Sequence, residues 1–173
     1  MTRIARIATI FLFSSQMAWA ANTQQEMQAE MQKMQVAQAR MMAAMVSEKQ
    51  SRLGFEETVA ALQAAATKRG WEVGQTFDMQ DAMIKAGHKN AKPFKVMAMC
   101  KKDLVESLLK TQAAHNTTPY APCRISVLEG SDGKTYISKP NTEFMAQIAT
   151  PAFTPLLHQI AEEEKAVLSS ALQ

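Results

Sequence analysis

The sequence predicts an α+β domain, a small and mainly antiparallel sheet with helices packed on one face, and three observations carry the prediction. The string 123–127 alternates in polarity with period two, as strands do, and 94–100, after Pro93, is a second strand-like string. Longer strings, such as 55–68 and the segment after Thr154, place apolar residues three and four apart, as amphipathic helices do. Asp132-Gly133 lies between two of the strand-like strings, where it signals a tight antiparallel turn.

The first twenty residues stand apart. A basic start (Arg3, Arg6) leads into an apolar run from Ile7 to Phe13 and ends at Ala18-Trp19-Ala20. That order describes a secretory signal peptide over 1–20, cut between Ala20 and Ala21, and a periplasmic or secreted product. The apolar run is short and broken by Ser14, Ser15 and Gln16, so it is a poor bilayer span. The whole chain carries +3 and falls to about +1 once Arg3 and Arg6 leave. No basic footprint for nucleic acid remains.

Residues 21–46 form a second region, rich in Met, Gln, Ala and Glu and free of Gly, Pro and aromatics. These are good helix formers. Met27, Met31, Met34, Met41 and Met45 follow one another at spacings of four, three, seven and four, an a/d seam about three heptads long. Such a seam predicts an interface with a second copy or another partner. Thioethers on it are also candidate soft-metal donors. The polar face is mostly Gln, with no Trp or Phe on the other, which argues against membrane insertion.

The predicted α+β domain occupies 47–173. A first strand falls within Ser47–Leu53. Gly54 precedes a helix whose Glu56 and Glu57 suit its positive end, whose inner face is Phe55, Val59 and Leu62, and whose stop is Gly70. Trp71–Phe77 reads as a strand. Asp78 caps a short helix that Gly87 ends. Phe94–Cys100 is a strand in which Phe94, Val96, Ala98 and Cys100 share the more apolar side and Lys95, Met97 and Met99 the other. Asp103 with Glu106 suggests a capping box for a helix striped by Leu104, Leu108 and Leu109. Cys123, Ile125 and Val127 share one side of the next strand, and Thr135–Lys139 returns beside it. Thr154-Pro155 opens the last helix, with Leu156, Leu157, Ile160, Val167 and Leu168 turned inward and Glu162-Glu163-Glu164 as a solvated face.

Cys100 and Cys123 carry most of the chemistry. Both sit on the more apolar side of their strands, so both are expected to face the helices. Two exported thiols form a disulfide, a pair of buried small hydrophobes, a redox couple or a soft-metal site. A disulfide would need Cα atoms within about 7 Å. Metal candidates are Cys100, Cys123, Met97, Met99, His88 and His115, a set that favours Cu(I) over harder ions. No C-x-x-C, haem-attachment or zinc-helix motif is present. His158 and Glu162 lie one helical turn apart and read as an exposed pair, and no nucleophile triad can be assembled.

The segments "GFEETVAALQAAATKRGWEV", "FDMQDAMIKAGHKNAKPFKVMAMCKKDLVESLL" and "PCRISVLEGSDGKTYISKPN", with the closing helix, resemble the bacterial domain-of-unknown-function family DUF302 from about Ser47 to Ser170. The resemblance implies a compact fold akin to the TATA-box-binding-protein-like architecture without its DNA function, in small and often exported proteins that are plausibly dimers. It matches Cys100 and the Pro122-Cys123 pair. It departs where relatives have His-Asp and this chain has Phe77-Asp78, and where they have Cys-x-Pro and this chain has Cys100-Lys101-Lys102.

Three functions therefore stand open. The first is an exported binding or accessory protein, with copper, haem or another small ligand near the cysteines. The second is a thiol-redox or sulfur-handling protein. The third is an interaction protein in which a stapling disulfide is purely structural. Stapling leads as the role of the two cysteines.

Overall fold

The structure is a computed structural model and describes residues 24–110 and 123–172. Residues 1–20, read above as an export signal, and His115 lie outside them. The chain divides into two compact units between Ala43 and Ala44.

The described residues of the first unit are helical, in a helix α1 that runs over 24–44. Lys33 reaches back to Glu30 at 2.7 Å along it. Met27, Met31, Met34 and Met41 are all more than half exposed. Met45 is not part of that seam. It sits half-buried in the turn after the helix, and its carbonyl accepts the Asn141 N–H at 2.8 Å. The turn breaks the helical period before the fifth methionine is reached.

The second unit runs β1 (Val46–Gln50), α2 (Phe55–Lys68), β2 (Glu72–Asp78), α3 (Met79–Lys85), β3 (Phe94–Cys100), α4 (Lys102–Leu109), β4 (Cys123–Glu129), β5 (Thr135–Pro140), α5 (Thr142–Ile148) and α6 (Thr154–Leu172). The five strands form one antiparallel sheet in the order β1-β5-β4-β3-β2. The α+β expectation holds, with helices on one sheet face. Val59, Leu62 and Ala66 of α2, Leu104 and Leu108 of α4, and Leu156, Leu157, Val167 and Leu168 of α6 close over Met97, Met99, Ile125, Val127 and Ile137.

Several local signals are realised as read. Asp78 accepts the Asp81 N–H at 2.9 Å and caps α3. Gly70, Gly87 and Gly133 take positive φ, where a Cβ would be strained. Asp132 anchors the β4–β5 turn by accepting the Lys134 N–H at 3.1 Å and the Tyr136 hydroxyl at 2.8 Å.

Other expectations are corrected. The cap of α4 is Lys101, whose carbonyl accepts the N–H groups of Leu104 and Val105, so Asp103 lies inside the first turn and forms no capping box. Helix α5 is an addition: Asn141 caps it by accepting the Phe144 N–H at 3.2 Å, while its own amide donates to the Ala44 carbonyl at 2.9 Å. In α6 the inward row is Leu156, Leu157, Ala161, Glu164, Val167, Leu168 and Ala171, with Ile160 half-buried. Glu164 is therefore not on a solvated face.

The polarity of β3 is also reversed. Met97 and Met99 are its fully buried residues, while Val96, Ala98 and Cys100 are half-buried. Pairing decides this: Met97 stands opposite Ile125 and Met99 opposite Cys123, on the helix-covered side. The flexible thioether chains fill the irregular space beneath the helices. The other side carries the row Phe77, Val96, Ser126, Ser138 and Glu48.

Candidate functional site

One end of the sheet gathers the chemistry. There β3 leaves with Met99 and Cys100, β4 enters with Cys123, and β5 leaves with Lys139 and Pro140. Between this end and α4, α5 and α6 lies an apolar cavity of about 80 Å³. Trp71, Leu104, Leu108, Phe153, Leu157 and Ile160 supply its hydrocarbon walls. Met99, Cys123 and Met145 bring sulfur-bearing side chains to it, Thr142 and Glu164 bring oxygen, and Cys100, Lys101 and Arg124 border it. Trp71 is 3% exposed, and its Nε1 has no hydrogen-bond partner among the described residues.

The floor is an ion pair taken out of water. Lys139 Nζ donates to Glu164 Oε2 at 2.7 Å, with both side chains under a tenth exposed. Thr142 Oγ1 donates to the same oxygen at 2.7 Å, and Lys139 also donates to the Pro140 carbonyl at 3.0 Å. Three donors and acceptors from β5, α5 and α6 thus satisfy one another, which a buried pair needs to be tolerated. The alternation of β5 turns Lys139 inward beside Ile137. The helical period of α6 brings Glu164 to it. Sequence reasoning missed this pair; the signal available was Glu164 falling on the same stripe as Leu157, Ala161 and Leu168.

The rim is built differently. Glu163, one residue earlier, receives Arg69 at 3.1 Å and Lys101 at 2.9 Å near the surface. Burial alone would raise its carboxyl, but the hydrogen bonds from Arg69 and Lys101 outweigh this and hold it below the ordinary carboxylate range.

Cys123 sits between floor and rim. Burial pushes its thiol up to about 12, with the Glu164 and Cys100 charges adding and the Lys139 charge opposing. At neutral pH it is a protonated, weakly nucleophilic thiol. The two cysteines are free. The ladder pairs Met99, not Cys100, with Cys123. Cys100 is one step out of phase, so the staple expected from shared orientation is not made: strand alternation turns the two side chains to opposite sheet faces.

The remaining metal candidates scatter. Met97 is buried in the core away from the cavity, and His88 is exposed in the turn after α3. No group of three or more His, Cys, Asp or Glu that could hold a metal occurs among the described residues. A haem does not fit: the cavity, about 80 Å³, is well under the roughly 300–1,000 Å³ of ordinary organic-ligand sites, and no His among the described residues lines it. His158 and Glu162 are both exposed on α6.

No helix among the described residues is long and apolar enough to cross a membrane. No curated protein matches the chain. Among solved structures, the chain is similar to an uncharacterized conserved DUF302 protein from Bacillus stearothermophilus, with 19% identity, a TM-score of 0.64, and coverage of 73% of this chain and 98% of that one. The likeness supports the fold alone. The family described as domain of unknown function DUF302 matches residues 47–173, which takes in every strand residue but Val46 and every wall of the cavity, and the chain belongs to that family.

Proposed function

We propose that this chain is an exported binding protein whose site is the cavity between the sheet end and α4, α5 and α6. The observation that carries the reading is an apolar hollow at the edge of the hydrophobic core with a satisfied ion pair beneath it. Empty apolar volume costs stability, about 24 cal/mol per Å³ in core truncations, so a native hollow has a reason to be kept. Cys123 pairs with Met99 across the sheet and not with Cys100, so no disulfide couple is assembled there, which favours occupancy over turnover. Export rests on the signal-like residues 1–20.

Native mass spectrometry of the full-length product recovered from periplasm tests both parts. The expected result is a protein beginning at Ala21 that carries a small-molecule or ion adduct, and loss of that adduct when Val105, which lines the hollow from α4, is replaced in Val105→Trp to fill it. A wild-type protein with no adduct, or an adduct equally retained by Val105→Trp, would overturn the cavity reading. A product still beginning at Met1 would overturn export.

The exposed Met27, Met31, Met34 and Met41 row favours a second reading for α1, self-association. An a/d seam is self-complementary, so a second copy of the same helix fits it. Met31→Glu with Met34→Glu is expected to convert a dimer to a monomer in sedimentation equilibrium. An unchanged mass would refute it.

A further inference from the structure

The sulfur lining of the cavity names its ligand class, an inference that rests on the cavity being a binding site. Three sulfur-bearing residues reach the hollow from three elements: Met99 from β3, Cys123 from β4 and Met145 from α5. Met99 and Cys123 are direct cross-strand partners, which sets their Cβ atoms about 4.5–5.5 Å apart on one sheet side. Met145 closes from the helix side. Cys100 also borders the hollow. Thiolate and thioether are soft donors that select soft ions, Cu(I) first among those common in biology.

We propose that the cavity is a Cu(I) site in which the Cys123 thiolate and the Met99 and Met145 thioethers are the ligands. Charge balance favours a monovalent ion. As the copper–sulfur bond forms, the S–H bond of Cys123 breaks and its proton leaves to solvent. One positive charge enters and one departs, the copper stays Cu(I), and no electron moves. The hollow is as neutral afterwards as before. Glu164 offers no spare charge for a divalent ion, because Lys139 already neutralises it at 2.7 Å. Strand alternation turns the Cys100 side chain to the other sheet face, so Cys123 is the one thiolate donor and a divalent ion would leave one uncompensated charge among hydrocarbon walls, which is costly. Among the described residues no His lines the hollow, and His is a donor that zinc prefers.

The test titrates the full mature chain with Cu(I) under anaerobic conditions against the chelator bicinchoninate. Because α1 also carries thioethers, the reference protein is the Met27→Leu, Met31→Leu, Met34→Leu, Met41→Leu variant. It is expected to keep one Cu(I) equivalent with an all-sulfur shell in X-ray absorption. Adding Cys123→Ser should abolish that equivalent. Adding Met99→Leu and Met145→Leu, near-isosteric changes that preserve packing, should weaken it at least about tenfold, or 1.4 kcal/mol. Circular dichroism of each variant checks folding, and Cys123→Ala replaces Cys123→Ser if the latter unfolds. Copper lost with the α1 methionines, or retained without Cys123, overturns the proposal. If Cu(I) fails to bind while Val105→Trp still removes the native adduct, copper falls and the cavity reading stands.

Discussion

Glu163 and Glu164 are neighbours in sequence and belong to opposite regimes of electrostatics. Glu163, at the rim, shares two cations near water, and its pairs are screened. Glu164, on the floor, is 4% exposed and accepts hydrogen bonds from Lys139 and Thr142. One helical step of about 100° moves a carboxylate from a surface where pairing is worth little to an interior where losing a partner is costly. The sheet end is thus a soft, ionic rim over a fixed polar floor, with the hollow between them.

Replacements at the floor should have the largest effect. Glu164→Leu leaves Lys139 buried and unpaired, and is expected to lower urea-unfolding stability by about 3–5 kcal/mol. The double replacement Lys139→Met with Glu164→Leu removes both charges and should recover most of that loss. If the double variant is as unstable as the single, the floor is not an isolated pair.

The Cys123 thiol should give the next effect, and its sign is fixed. The folded pKa, about 12, lies above the ordinary 9.0. The folded state therefore holds a proton that the unfolded state releases. The contribution is fully present below pH 9 and lost as pH rises toward 12. Stability of the wild type should fall over that window more steeply than that of Cys123→Ala, and alkylation at pH 8 should be slow until urea is added. Equal alkaline slopes would contradict the burial of Cys123.

The rim should give the smallest effect. Glu163→Gln is expected to cost less than about 1 kcal/mol, fading in high salt. A loss as large as that of Glu164→Leu would erase the contrast between floor and rim.

The same contrast explains what could be read from the sequence. Local signals were legible because their physics is local: Asp78 caps three residues ahead, Gly70 and Gly87 end helices with positive φ, and Asp132-Gly133 turns a hairpin. The resemblance to DUF302 reached the fold because it spans most of the folded unit. The site was only partly legible. Cys123 was found, but the orientation of β3 depends on pairing with β4, which apolar parity alone cannot decide when both sides carry apolar residues. Glu164 reads as one of three surface glutamates until Lys139, twenty-five residues away in sequence, is brought beside it. Met145 was missed with the whole of α5, a seven-residue helix whose apolar stripe is too short to stand out.

The measurement closest to the central claim is a crystal of the protein pressurised with xenon, which enters apolar hollows without chemical selectivity. The account predicts a xenon atom between Met99, Cys123, Met145 and Leu157, absent in Val105→Trp. A sheet end packed solid, with xenon found only elsewhere, would contradict it.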